Sequence, residues 1–220
     1  TPPPAPSVPE PTEVSQPPEA APEPTPPPAV VPAPPAAPSA PQDPAVPANA
    51  VNNELKGLIR DASAGSATAQ NELGVRYLVG RGIAQDYGQA ALWLRKAAAQ
   101  DMTNAQYNLG VLFDSGRGVE PDPIEALIWF HSAAENGHGR AQMAVAAAYA
   151  AGRGIERNPN EALKWLRRAA ESKIPEAQFS LANILATSPK THESLIDAYY
   201  WYKIADRKGI AEAAERGEQV

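Results

Sequence analysis

The side chains most able to do chemistry are few. Histidine is the usual metal ligand and acid–base group at neutral pH, and the chain has His131, His138 and His192 alone. None is followed by a second histidine at the i, i+4 spacing of a helical zinc site. With no cysteine there are no thiolate sites or disulfides. Glycine turns that precede helices can cradle anions, and Gly80-Arg81-Gly82, Gly116-Arg117-Gly118 and Gly152-Arg153-Gly154 have that look. They lack the Lys-Ser/Thr continuation of a phosphate loop, and their regular recurrence makes them hairpin turns. Arg81, Arg117 and Arg153 are then loop residues rather than an anion ladder. The carboxylate pair Asp122 and Glu125 sits where helix capping explains it. No catalytic residue, metal site or cofactor is expected, and the chain reads as a non-enzyme.

What remains is recognition. Ala-Gln occurs at 69–70, 105–106, 141–142 and 177–178, each pair 36 residues after the last. The third position of each unit is Asn71, Tyr107, Met143 or Phe179, and one turn later come Val75, Val111, Ala147 and Asn183. At 100° per residue these positions lie off the main packing stripe of their helices and form a mainly apolar ribbon. They are either packing between neighbouring helices or a groove for an extended or helical peptide. Asp114 and Ser115, at the end of the second such helix, are placed to orient that ligand.

The elements that must position this ribbon follow from the same period. Trp93, Trp129, Trp165 and Trp201 keep the 36-residue interval, as do Ala90, Ala126, Ala162 and Ala198. Leu73, Gly74 and Tyr77 recur as Leu109, Gly110, Phe113 and as Val145, Ala146, Tyr149, one stripe of an amphipathic helix A. Paired glycines end it. A helix B follows through Ala90–Ala98 and its copies, with Pro123 and Pro159 near its start. The small residues at 74, 110, 146 and 182 let helix B approach, and tryptophan is expected to fill the remaining space. Repeats of this size mean an all-α, right-handed α/α solenoid in which each hairpin buries its apolar surface against its neighbours. The units read as 69–104, 105–140, 141–176 and 177–212, with a capping helix over 51–66 and a further helix A beginning at Ala211.

The first fifty residues are another material. Of 25 prolines, 20 lie between Pro2 and Pro47, and no aromatic residue precedes Tyr77. Such a segment cannot bury enough apolar surface to offset the entropy of ordering it, so residues 1–50 are expected to be a disordered, partly polyproline-II linker. Fully extended at roughly 3.1 Å per residue, it would reach about 145 Å. It carries five acids and no Lys or Arg, which leaves 20 acids against 19 bases elsewhere. Without a basic block there is no footprint for phosphate contacts, and nucleic-acid binding is excluded. The longest apolar run, Met143–Ala151, is far short of a membrane span. The start at Thr1 is that of a processed chain or fragment, with any signal peptide or membrane anchor outside this sequence.

These residues resemble the Sel-one-like repeats, a subclass of tetratricopeptide-like solenoids. The resemblance is carried by Ala69-Gln70-x-x-Leu73-Gly74-x-x-Tyr77, the Gly80–Ile83 loop, Asp86, Ala90, Trp93, Ala97-Ala98 and their copies. It implies an adaptor that assembles protein complexes, with no reaction of its own. The layout of proline-rich arm and repeats is similar to the periplasmic part of bacterial cell-pole organising proteins. The expected setting is therefore periplasmic or membrane-tethered in a bacterial envelope, with a protein or peptide ligand on the concave A-helix surface and cell-wall association possible there. The alternatives are a regulator that restrains a membrane sensor and an envelope enzyme of cell-wall or β-lactam chemistry. Since the tryptophans are read as space fillers, Trp129→Ala should lower unfolding free energy by about 3 to 5 kcal/mol in a urea titration; a change under about 1 kcal/mol would remove Trp129 from the core.

Overall fold

The computed structural model describes residues 48–187 and 191–220. The described residues all belong to one compact unit. The proline-rich arm and the Ser188-Pro189-Lys190 loop lie outside the described residues.

Ten helices are present among the described residues, and no strand. Helix α1 (Ala48–Ser63) is the capping helix and begins three residues inside the stretch assigned above to the arm. The A helices are α2 (Ala67–Val79), α4 (Thr103–Ser115), α6 (Gly139–Ala151) and α8 (Pro175–Thr187); the B helices are α3 (Tyr87–Ala98), α5 (Pro123–Glu135), α7 (Pro159–Glu171) and α9 (His192–Asp206). Helix α10 (Ala211–Glu218) is a further helix A. Each helix packs on its neighbours in sequence, making a right-handed α/α solenoid.

Local chemistry sets the ends. The Asp86 carboxylate accepts from Gln89 N at 2.9 Å, that of Asp122 from Ile124 N and Glu125 N at 2.9 and 3.1 Å, and the Asn158 side chain from Glu161 N at 3.1 Å. These caps start three B helices, with Pro123 and Pro159 in the first turn, where their missing N–H is no loss. The A helices α2, α4 and α6 end on left-handed Gly80, Gly116 and Gly152.

The second glycine of each loop has another task. A Cβ on Gly118 would lie 2.4 Å from the Tyr87 carbonyl oxygen, and one on Gly154 would lie 2.4 Å from that of Pro123. The loop of one repeat thus lies directly on the first turn of the preceding helix B. Both glycines have positive φ, 71° and 72°, so close approach and conformation each favour glycine.

Inside the hairpins the small-residue reading is observed. A Cβ on Gly74 would sit 2.7 Å from Leu94 Cγ, and one on Gly110 would sit 2.7 Å from the Phe130 ring. The filler, however, is the residue after each tryptophan: Leu94, Phe130, Leu166 and Tyr202 are all buried. Of the tryptophans only Trp165 is fully enclosed, at 5 % exposure; Trp93, Trp129 and Trp201 are half-buried. One further 100° step turns the side chain from the hairpin's flank onto its seam. Two of the tryptophans carry cations, with Lys96 Nζ 4.3 Å from the Trp93 ring centroid and Arg168 Cζ 4.5 Å from that of Trp165. Loss of half-buried Trp129 accordingly falls at the lower end of its range.

Between hairpins the principal polar link is a column of glutamines. Gln70, Gln106, Gln142 and Gln178 are the buried polar side chains. Their Nε2 groups donate to the carbonyls of Ala62, Ala98, Ala134 and Ala170 at 3.1, 3.4, 3.2 and 3.0 Å. Those acceptors lie in the last turn of the preceding helix, where carbonyls have no helical partner. Gln70 Oε1 in turn accepts from Gln100 at 2.8 Å, Gln106 Oε1 from Asn136 at 3.4 Å and Gln142 Oε1 from Ser172 at 2.9 Å. Gln106→Met, nearly the same size, removes one of the two hydrogen bonds to the Ala98 carbonyl, which keeps that from Asp101 N at 3.1 Å, and unfolding free energy should fall by about 0.5 to 1.5 kcal/mol. Unchanged stability in urea would mean that the column is incidental to stacking.

Candidate partner-binding face

The ribbon residues are brought together on successive A helices. Asn71 and Val75 lie on α2; Tyr107, Val111 and Asp114 on α4; Met143 on α6; Phe179 and Asn183 on α8. All eight are half-buried. Tyr107, Val111 and Met143 pack against the main core and Phe179 against the C-terminal one, so each has an inner side in contact and an outer side available. Ala147, between them on α6, is exposed.

Their fixed neighbours limit their movement. The Tyr107 ring stacks on His138 with centroids 4.4 Å apart and lies 5.9 Å from Phe130. Phe179 lies 5.9 Å from Tyr202, whose hydroxyl donates to Asn183 Oδ1 at 2.7 Å. Asn183 also lines a groove with Ile184, Thr187, Tyr202 and Arg216. Asn71 Oδ1 is buried without a hydrogen-bond partner among the described residues.

The two residues expected to orient a ligand are already occupied. Asp114 Oδ1 pairs with Arg153 Nη2 of the next repeat's loop at 2.8 Å, and Ser115 Oγ donates to the Val111 carbonyl at 2.7 Å. Asp114 therefore joins repeats, and Arg153 is its partner rather than a solvated loop cation.

His138, which the sequence pairs with no other ligand, has a definite role in the structure. Its Nδ1 accepts from Ala141 N at 3.1 Å and caps α6. Burial foremost, then the Arg140 cation, hold its pKa below the ordinary histidine value. His131 lies 4.0 Å from Glu135 one turn on, but no cluster of three metal-ligating side chains exists among the described residues. No helix of the described residues is long and apolar enough to cross a membrane.

With this geometry in view, comparison with known proteins is direct. The Sel1 repeat model matches residues 67–102, 103–138, 139–173 and 175–209. The chain belongs to the Sel1 repeat family. Repeats of this family generally serve as protein–protein interaction scaffolds. Among solved structures, a protective antigen present in uropathogenic Escherichia coli strains and displaying an SLR fold is 31 % identical, with a TM-score of 0.70 over 74 % of this chain and 35 % of its own. This chain thus spans about a third of that protein's length. A Sel1 repeat protein from Oxalobacter formigenes is 30 % identical, with a TM-score of 0.67 over 75 % of this chain and 69 % of its own. No curated protein matches the chain in sequence.

The His138 cap carries a pH dependence. Neutral Nδ1 accepts the Ala141 N–H; protonation turns it into a donor and sets a cation at a helix N-terminus. Because the folded-state pKa is depressed, the stabilisation is complete above the unfolded value of about 6.5 and is lost as pH falls through the window below it. Urea unfolding at pH 7.5 and 5.5 should show a larger loss at the lower pH for the wild type than for His138→Asn, which caps at both. Equal losses would show that the histidine is not the titrating group.

Proposed function

We propose that the chain is a non-catalytic scaffold of the bacterial cell envelope, periplasmic or held there by a membrane tether outside this sequence, which binds a protein or peptide ligand on its A-helix face. The observation that carries the reading is the row of half-buried apolar side chains on successive A helices: Val75, Tyr107, Val111, Met143 and Phe179. The inner edges of Tyr107, Val111, Met143 and Phe179 are fixed by the core, so little side-chain entropy remains to be lost when a ligand covers their outer edges. A long ligand crossing several repeats gains from each in turn, which is how a solenoid makes an extended binding surface. The bacterial origin of the two similar structures and the reach expected of a proline-rich arm support the envelope setting.

Exposed Ala147 offers a test that spares the core. Ala147→Arg places a long cation in the middle of the ribbon, and the full chain carrying it should retain its helical circular dichroism. It should recover at least about tenfold less of the protein captured by wild type from bacterial envelope fractions, the scale of a lost 1.4 kcal/mol contact. Equal recovery would move the binding site off this face.

A further inference from the structure

Immediately before α1, outside the described residues, the sequence carries a period of its own. Pro32, Pro35, Pro38, Pro41, Pro44 and Pro47 follow one another at intervals of three without a break. Three residues complete one turn of polyproline II, so in that conformation the six rings share one edge. From Pro32 to Gln42 the stretch is uncharged and holds only Ala, Ser and Gln besides proline; Asp43 is the single charge before Pro47.

The A-helix ribbon has the chemistry to receive such an edge. Tyr107 and Phe179 supply the aromatic surface on which proline segments dock. A proline brings no backbone N–H to the contact, so laying prolines on half-buried Val75, Val111 and Met143 buries no unsatisfied donor. Asp114, the ribbon's carboxylate, is already paired with Arg153, and an uncharged segment leaves no ion unmatched.

The spacings agree as well. Pro32 to Pro41 is a step of nine residues, roughly 28 Å at about 3.1 Å per residue. Successive A helices such as α2 and α4 touch, and helices in contact lie roughly 8 to 10 Å apart, so passing from α2 to α8 takes roughly 24 to 30 Å. One turn of the proline helix therefore advances by one repeat. The tether delivers it to the correct end, because α1 packs on α2, where the ribbon begins, and residues 42–47 form the link.

We infer that Pro41, Pro38, Pro35 and Pro32 occupy the ribbon of their own chain, over α2, α4, α6 and α8 in that order. A short link sets an effective concentration on the order of millimolar, so a ligand gains the ribbon by displacing the segment. This is regulation of the face proposed above as the binding site, and it rests on that reading.

The chain has no cysteine, so a nitroxide on Ser39→Cys is the sole spin label of the full chain. With label and isotope on the same molecule, the amide signals of Val75, Tyr107 and Val111 should be lost while those of Leu92 and Ile128 on the B helices persist. Reducing the nitroxide should restore them, as should adding Pro35→Asp and Pro38→Asp to the labelled chain. Ribbon signals that survive the label, or a loss that the aspartates do not relieve, overturn the inference. A loss that fades on about tenfold dilution places another copy's segment on the ribbon and overturns it too. If the ribbon signals survive while Ala147→Arg still lowers capture, the arm alone is struck and the face stays a site for a foreign ligand. If Ala147→Arg has no effect either, both readings fall.

Discussion

The constraint on which the rest depends is the buried glutamine that follows each Ala at the start of a helix A. A hairpin's second helix ends in carbonyls that its own helix cannot satisfy, and stacking the next hairpin on it removes them from water. Gln70, Gln106, Gln142 and Gln178 each give one such carbonyl, at Ala62, Ala98, Ala134 and Ala170, a second donor beside the turn N–H of Gly65, Asp101, Gly137 and Lys173. The bond is directional, so it fixes rotation and register where alanine-on-alanine contact would permit sliding. Once that register is set, Gly118 and Gly154 fall on the preceding helix B and Asp114 falls beside Arg153.

The column changes at the fourth repeat. Gln178 Oε1 is buried without a partner among the described residues, at the repeat where the equivalent of Gln100, Asn136 and Ser172 is Lys208. The next helix A places Ala213 and Ala214 where earlier repeats have Ala-Gln. Helix α10 still packs on the fourth repeat through Ala213 and Gly217, so apolar contact persists beyond the last polar rung.

With the stacking fixed, the hairpins present two kinds of surface. The A helices offer side chains half held by the core. The B helices offer fully projecting Leu, Ile and Tyr beside charges whose sign changes from repeat to repeat. Loops occupy the edges, where Gly118, Gly154 and the Asp114–Arg153 pair join repeats.

The sequence by itself determined the number of repeats, the helix pairs, the capped ends and the close approach at Gly74 and Gly110, because each rests on local propensity or on a strict 36-residue period. It also placed Asn71, Tyr107, Met143 and Phe179 together, since residues in register on stacked units must align. It did not reveal the side-chain pairing. Tryptophan is large and periodic, which suits Trp129 to a filler's place, yet one helical step decides that Phe130 faces the seam. The partners of Asp114 and His138, namely Arg153 and the Ala141 amide with the Tyr107 ring, are reached through loop geometry or across helices, which the repeat period does not report. The function of the repeated glutamine was hidden for the same reason: periodicity reports that a residue has equivalents, while only the stacked structure decides which carbonyl lies within reach of its amide.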